Sequence, residues 1–273
     1  MKFDARKSSG IMLGMNKALA LFALLLPGLA YADGLTGQHA LYNLSLSKLR
    51  THDITGATGQ MSFDVVDGCN GWATTQHMTL IIRNVDGSLN KSVTDYITWE
   101  TKDSKTLTFT LRESDNDGKE QIDSAGSATR KPDGSGVITY TTPADTQLSL
   151  PPGTLFPMQH TDALLAAGRS GQSFIAPPLF DGTTTDGAQA TFVTVLGNHN
   201  PEKTAWPALD TIPSTDVDIA FYERKNDDEN PDFRTSMRYF EDGVATDMIM
   251  DFGNFEMTAK LAKLSIPPSP CGK

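Results

Sequence analysis

Five histidines, two cysteines and two acidic runs carry the residue types able to bind metal or move protons in this 273-residue chain. The histidines are His39, His52, His77, His160 and His199, and no two lie closer than thirteen residues. A zinc site built locally needs ligands only a few residues apart, so this spacing argues against one. Glu113-Ser114-Asp115-Asn116-Asp117-Gly118 resembles the first half of a calcium loop, but Ser124 stands where the bidentate Glu of the twelfth position belongs. The run reads better as a solvated hairpin turn between Leu111 and Ile122. The second run, Asn226-Asp227-Asp228-Glu229-Asn230-Pro231-Asp232, reads as an exposed loop. The sequence contains no G-x-S-x-G elbow, no H-E-x-x-H and no phosphate-binding loop. No catalytic residue, metal ligand or cofactor is assigned, and the chain is expected to bind rather than catalyse.

One stretch offers a face instead of a reaction centre. Phe156, His160 and Leu164 recur at four-residue spacing and share one side of a helix. A rigid segment, Leu150-Pro151-Pro152-Gly153-Thr154-Leu155-Phe156-Pro157, leads into it. Pro157 suits the first helical turn, Met158 to Arg169 carries Ala163, Leu164, Ala166 and Ala167 at helical spacing, and Gly168 or Gly171 can end it. Such a face meets an apolar ligand or a partner, or it plugs the core. Apolar helical stripes usually mark core, and that reading is preferred.

The rest reads as strands. Residues alternate with period two over Ala40–Leu46, Gly59–Val65, Trp72–Ile82 and Lys105–Arg112, with a further run at Asp95–Thr101. Beyond the helix come Ala190–Leu196, Val217–Tyr222, Arg234–Phe240, Val244–Met250 and Glu256–Leu264. Asp-Gly pairs at 67–68, 86–87, 117–118, 133–134, 181–182, 186–187 and 242–243 punctuate these runs as hairpin signals. About a dozen strands with edges to cover predict a mainly β fold, a large antiparallel sheet curled into a barrel. The runner-up is two small β domains divided near residue 150.

The N-terminus reads as an address. Basic residues precede nine apolar residues from Ala18 to Leu26, and Ala30-Tyr31-Ala32 forms a cleavage site. The run is too short for a membrane span, which needs roughly 20 apolar residues. Residues 1–32 are therefore expected to be a cleaved signal peptide, with 33–273 as one domain in the periplasm. The formal charge of −10 disfavours nucleic acid as a partner. Cleavage removes four Lys or Arg and one Asp, leaving the mature chain at −13. In an oxidising compartment Cys69 and Cys271 are expected to form a disulfide. Free or metal-binding thiols are the alternative, but no His stands near either cysteine at ligand spacing.

Several segments in order carry a likeness. They are Asp67-Gly68-Cys69-Asn70-Gly71-Trp72 with Gln76, Leu150 to Pro157 with His160, Phe221-Tyr222 before Pro231-Asp232-Phe233, Tyr239 to Val244, and Cys271. Together, over residues 38–271, they resemble the EipB-type cell-envelope integrity proteins of alphaproteobacteria. The resemblance implies a barrel-like β-spiral of about fourteen antiparallel strands with one or two helices packed in it. It also implies a Cys69–Cys271 bridge and a non-enzymatic role in envelope integrity under stress. Parts of that fold are similar to the lipoprotein carriers LolA and LolB. The expected partner is a periplasmic protein or an apolar, lipid-like ligand, and the protein is expected to be a monomer. A lipid or lipoprotein carrier is the alternative, and an envelope hydrolase, lacking a legible nucleophile and base, stands third. Phe233 and Phe252 depart from the family pattern, where tyrosine is expected.

Overall fold

The computed structural model describes residues 34–116, 118–222 and 230–271. The signal segment 1–32, and residues 226–229 of the second acidic run, lie outside the described residues. Among the described residues fifteen strands follow in chain order. The first eight are β1 (Gln38–Leu49), β2 (Ile54–Asp67), β3 (Gly71–Asn84), β4 (Leu89–Thr101), β5 (Thr106–Ser114), β6 (Glu120–Arg130), β7 (Gly136–Thr142) and β8 (Thr146–Leu150). Helix α1 (Pro157–Arg169) precedes β9 (Phe174–Ile175), β10 (Pro178–Leu179), β11 (Gln189–His199), β12 (Ser214–Tyr222), β13 (Phe233–Phe240), β14 (Ala245–Asp251) and β15 (Phe255–Ser265). The count is close to that implied by the family likeness, and two of the strands have only two residues each.

All pairings between these strands are antiparallel, and one hydrogen-bonded path runs β10-β11-β12-β13-β14-β15-β1-β2-β3-β4-β5-β6-β7-β8, with β9 also on β11. The decisive link joins the two ends of the chain, since β1 pairs with β15 from His39↔Ser265 to Leu49↔Phe255. It ties the strands before α1 to those after it in a single sheet. The outermost strands then approach each other. After β8, Leu155 lies parallel to Leu179 of β10. Its N–H donates to the Pro178 carbonyl at 2.8 Å, and its carbonyl accepts from the Phe180 N–H at 2.9 Å. This covers edges that would otherwise expose unpaired backbone groups.

Two apolar clusters fill the interior. The larger takes inward residues of β1–β3 and β11–β15 together with Leu164 and Leu165 of α1. The smaller gathers Leu107, Phe109, Ala128, Ile138, Tyr140, Leu150, Phe156 and Phe180. In the smaller cluster Phe109, Tyr140 and Phe180 meet edge to face at 5.3–6.4 Å between centroids, the arrangement their ring quadrupoles favour.

Four of the Asp-Gly pairs lie in turns joining adjacent strands: β2–β3, β3–β4, β6–β7 and β13–β14. Gly118 occupies the β5–β6 turn with φ +68°, while Asp117 lies outside the described residues. The pairs at 181–182 and 186–187 instead share the β10–β11 loop. Gly182 is needed there for two reasons. Its φ is +78°, and a Cβ would lie 2.3 Å from the Phe109 ring. Gly182→Ala is expected to cost about 2–4 kcal/mol, from backbone strain plus overpacking of a buried ring. Thermal unfolding checks it, and an unchanged Tm would contradict the packing described.

Helix α1 begins at Pro157, and Gly171 with φ +71° follows its last turn. Gly168 is not the stop. It is buried, where a Cβ would lie 2.6 Å from the Thr215 hydroxyl.

Candidate ligand cavity

Methionine and aromatic side chains define an apolar cavity of about 230 Å³ between β1–β3 and β13–β14. Met61, Met237, Met248 and Met250 supply thioethers, and Phe63 and Phe233 supply rings. Methionine is unbranched and polarisable, so such a wall adapts to the shape of what it holds. Larger grooves exist, but one of about 580 Å³ is lined by Glu202, Lys203, Arg238, Asp247 and Lys260 beside Trp206. The five charged side chains in its lining make it a poorer apolar site than the smaller inward cavity.

Strand periodicity aims these side chains. Met61 and Phe63 alternate with outward Ser62, and Phe233, Thr235, Met237 and Tyr239 alternate along β13. On β14 a bulge resets the phase. Ser236 pairs with Ile249 but Arg238 pairs with Thr246, so one extra residue is inserted. Asp247 absorbs it with φ +52°. Ala245, Met248 and Met250 therefore all face the cavity despite an odd spacing.

From Phe233 an aromatic row leads away. Phe221–Phe233, Phe233–Phe252 and Phe252–Phe255 have centroids 5.7, 5.4 and 5.1 Å apart. Phe233 and Phe252, the two positions at which the resemblance leads one to expect tyrosine, are both in this row.

The opposite end is polar. Gln38, 2% exposed, donates from Nε2 to the Gly243 carbonyl at 2.9 Å. Tyr42 donates to the Ala245 carbonyl at 2.8 Å, and the Tyr239 hydroxyl lies beside Thr161 of α1. Asp242, next to Gly243, is also 2% exposed, and its Oδ1 accepts the Val244 N–H at 3.1 Å. Burial pushes the Asp242 carboxyl up to about 6 against that hydrogen bond. Burial, then the nearby Tyr239, raise the Tyr42 hydroxyl as well, and Asp242 adds to it.

The helical face read from the sequence is turned into the fold. Phe156 is 0%, His160 5% and Leu164 1% exposed. Phe156 belongs to the smaller cluster and Leu164 to the larger, so α1 joins the two. None of the three lines the cavity; the helix reaches it through Thr161 and Tyr239. His160 Nε2 lies 3.2 Å from Thr191 Oγ1, whose proton goes to the Pro177 carbonyl at 2.6 Å. His160 is therefore the donor, and burial lowers its pKa to about 4.

A residue without sequence signal holds α1 in place. Phe156 offers no side-chain cap. Instead Glu100 of β4, 2% exposed, accepts the Met158 N–H at 2.7 Å and the Gln159 N–H at 3.1 Å. Carboxylates suit helix N-termini because of the unpaired N–H groups there. Burial still raises Glu100 to about 7, against those two bonds and the Arg130 charge.

Cys69 and Cys271 are disulfide-bonded, with Cα atoms 5.3 Å apart. Asp67 reinforces the junction, accepting from the Cys69 N–H at 2.9 Å, Lys102 at 2.6 Å and the Ser269 hydroxyl at 3.0 Å. Three other histidines pair with aspartates across strands, His39 with Asp64, His77 with Asp95 and His199 with Asp216, at 2.6–2.7 Å. Among the described residues no three His, Cys, Asp or Glu are arranged to hold a metal. In the first acidic run, Asn116 is used structurally, bonding the Lys91 N–H and the Leu89 carbonyl of β4.

Comparison with known proteins agrees with this architecture. The profile of a family described as EipB-like matches residues 29–268. The chain is 27% identical over 254 residues to the cell envelope integrity protein EipB of Brucella abortus (strain 2308), covering 87% of this chain and 86% of that protein. A crystal structure of a beta-barrel-like protein from Brucella abortus superposes with a TM-score of 0.78 at 26% identity, covering 86% of this chain and 100% of that one.

Proposed function

The chain belongs to the EipB-like family, and from that premise we propose that it maintains the cell envelope by holding an apolar envelope ligand in the cavity behind β13 and β14. The carrying observation is the thioether and aromatic lining at an inward site, which solvates a hydrocarbon body. The volume of about 230 Å³ exceeds the ~150 Å³ that accommodates benzene and falls below the roughly 300–1,000 Å³ of drug-sized ligands. It suits one short tail rather than a multi-chain lipid, and this separates the reading from that of a lipoprotein carrier. The protein is proposed to be a periplasmic monomer of one domain, released from a signal peptide ending at Ala32. The disulfide and the relative's name support an envelope location, and among the described residues no helix is long and apolar enough to cross a membrane.

Native mass spectrometry of protein purified from the periplasm tests the reading. The expected result is one additional small amphiphile per chain, absent from a Met237→Trp variant whose indole fills the cavity. Denatured without reductant, the chain is expected to begin at Asp33 and to be two hydrogens light. A bare native mass, with no Tm rise on adding short-chain amphiphiles, would refute the ligand. A protein partner is the second reading. It is favoured by Phe174 and Phe192, 59% and 41% exposed and stacked at 5.4 Å beside Leu196, 62% exposed, on the outer face of β9 and β11.

A further inference from the structure

We infer that the polar end of the cavity is built to receive hydrogen bonds from its ligand, so that the ligand is a short-tailed amphiphile with a hydroxyl or ammonium head rather than a carboxylate or phosphate. This rests on the ligand-cavity reading above and adds the chemistry of the head.

Donors and acceptors at this end of the cavity are unequally used. The Gln38 amide N–H and the Tyr42 and Thr235 hydroxyls line the cavity and are engaged with the Gly243, Ala245 and Ile249 carbonyls respectively. The acceptors are left over. Gln38 Oε1 and Asp242 Oδ2 are buried without any hydrogen-bond partner. The orientation of the Gln38 amide is fixed by its neighbour, because turning it over would set its oxygen against the Gly243 carbonyl. Buried acceptors left unpaired are costly, and a donor-bearing head entering from the apolar side satisfies Gln38 Oε1, the one of the two on the cavity wall. An anionic head would bring more acceptors to a site that already has a surplus and would lie close to the Asp242 carboxylate. Gln76 and Tyr239, the remaining polar residues on the wall, each carry a donor and an acceptor and do not discriminate.

The test uses the full, oxidised chain and three probes of one tail length, octan-1-ol, octylamine and octanoate, followed by calorimetry. Octan-1-ol and octylamine are expected to bind at least about tenfold more tightly than octanoate, since a site built to accept a hydrogen bond rejects a ligand that cannot supply one. Gln38→Leu is expected to shrink that preference, and its Tm reports whether it folds; the wild-type comparison stands without it. Equal affinity for the three, or tighter octanoate binding, overturns the head-group inference and leaves the apolar cavity standing. A buried water held on Gln38 Oε1 would give that result. No binding by any of the three overturns the cavity reading itself.

Discussion

Replacing both Cys69 and Cys271 by serine is expected to lower stability by about 3–5 kcal/mol, and Tm by on the order of 10 °C. The bridge spans a sequence separation of 202 residues, so it removes much of the freedom of the unfolded chain; the loop-entropy estimate for such a length is about 5 kcal/mol. It also fastens the β2–β3 turn to the tail after β15, where Pro267, Pro268 and Pro270 leave few backbone donors. Without it the tail keeps the Ser269–Asp67 hydrogen bond at 3.0 Å. That bond is partly solvated, and hydrogen bonds of this kind contribute about 1 kcal/mol. Thermal melts with and without reductant, and limited proteolysis, give the readout. Wild type under reductant should match the double variant and lose its C-terminal residues first. Identical melts and digests would show that the bridge contributes nothing.

Stability is expected to fall as pH rises from about 5 to 8 through Glu100, by on the order of 3 kcal/mol. The sign follows from its raised folded-state pKa, about 7 against 4.5 for the free group. Protonation favours the folded state, so this contribution is complete below 4.5 and is lost as pH rises through 7. Other buried groups titrate away from their ordinary values too, Asp242 and His160 among them. Asp242, raised from 3.8 to about 6, acts in the same direction at lower pH. His160, lowered from 6.5 to about 4, acts in the opposite direction, because stability is lost as pH falls through that range. The difference between wild type and Glu100→Gln cancels both. The variant is expected to gain on wild type steadily between pH 4.5 and 7, measured by urea unfolding. Parallel curves would show that Glu100 does not titrate in this range. Glu100→Ala should behave differently and be destabilised at every pH by about 2 kcal/mol or more, since the two buried N–H groups of α1 lose their partner.

Much of the fold was legible in local pattern. Period-two runs locate β1–β5 and β11–β15, and Pro157, the alanine-rich run and Gly171 bound α1 to within a residue. The strands between Glu120 and Leu150 carry no such signal. β6 shows why. Its inward positions are Ser124, Gly126 and Ala128, paired with Leu111, Phe109 and Leu107 of β5. Small residues belong there because the Phe109 and Tyr140 rings fill the space, so the strand carries no hydrophobic alternation of its own. Bulges at Leu111/Arg112 and Ala125/Gly126 break the phase further.

The helical stripe Phe156–His160–Leu164 was visible, but spacing alone cannot say which side of a wall it meets. In the fold it is the seam between two cores.

Composition and local pattern were enough to establish a mainly β chain, its turns and the one long helix among its described residues, with export and the pairing of the two cysteines as expectations. These depend on properties that a residue carries with its near neighbours: side-chain alternation, positive φ at glycine, and a cysteine count of two. The cavity and its chemistry were decided by tertiary structure alone. Gln38 and Tyr42 meet Gly243 and Ala245 because β1 pairs with β15 across the whole chain, and a bulge at Asp247 turns Met248 and Met250 inward. Whether a polar atom finds a partner depends on which distant strand is folded against it, and Gln38 Oε1 and Asp242 Oδ2 become unpaired acceptors only when the sheet has wound round and shut them in.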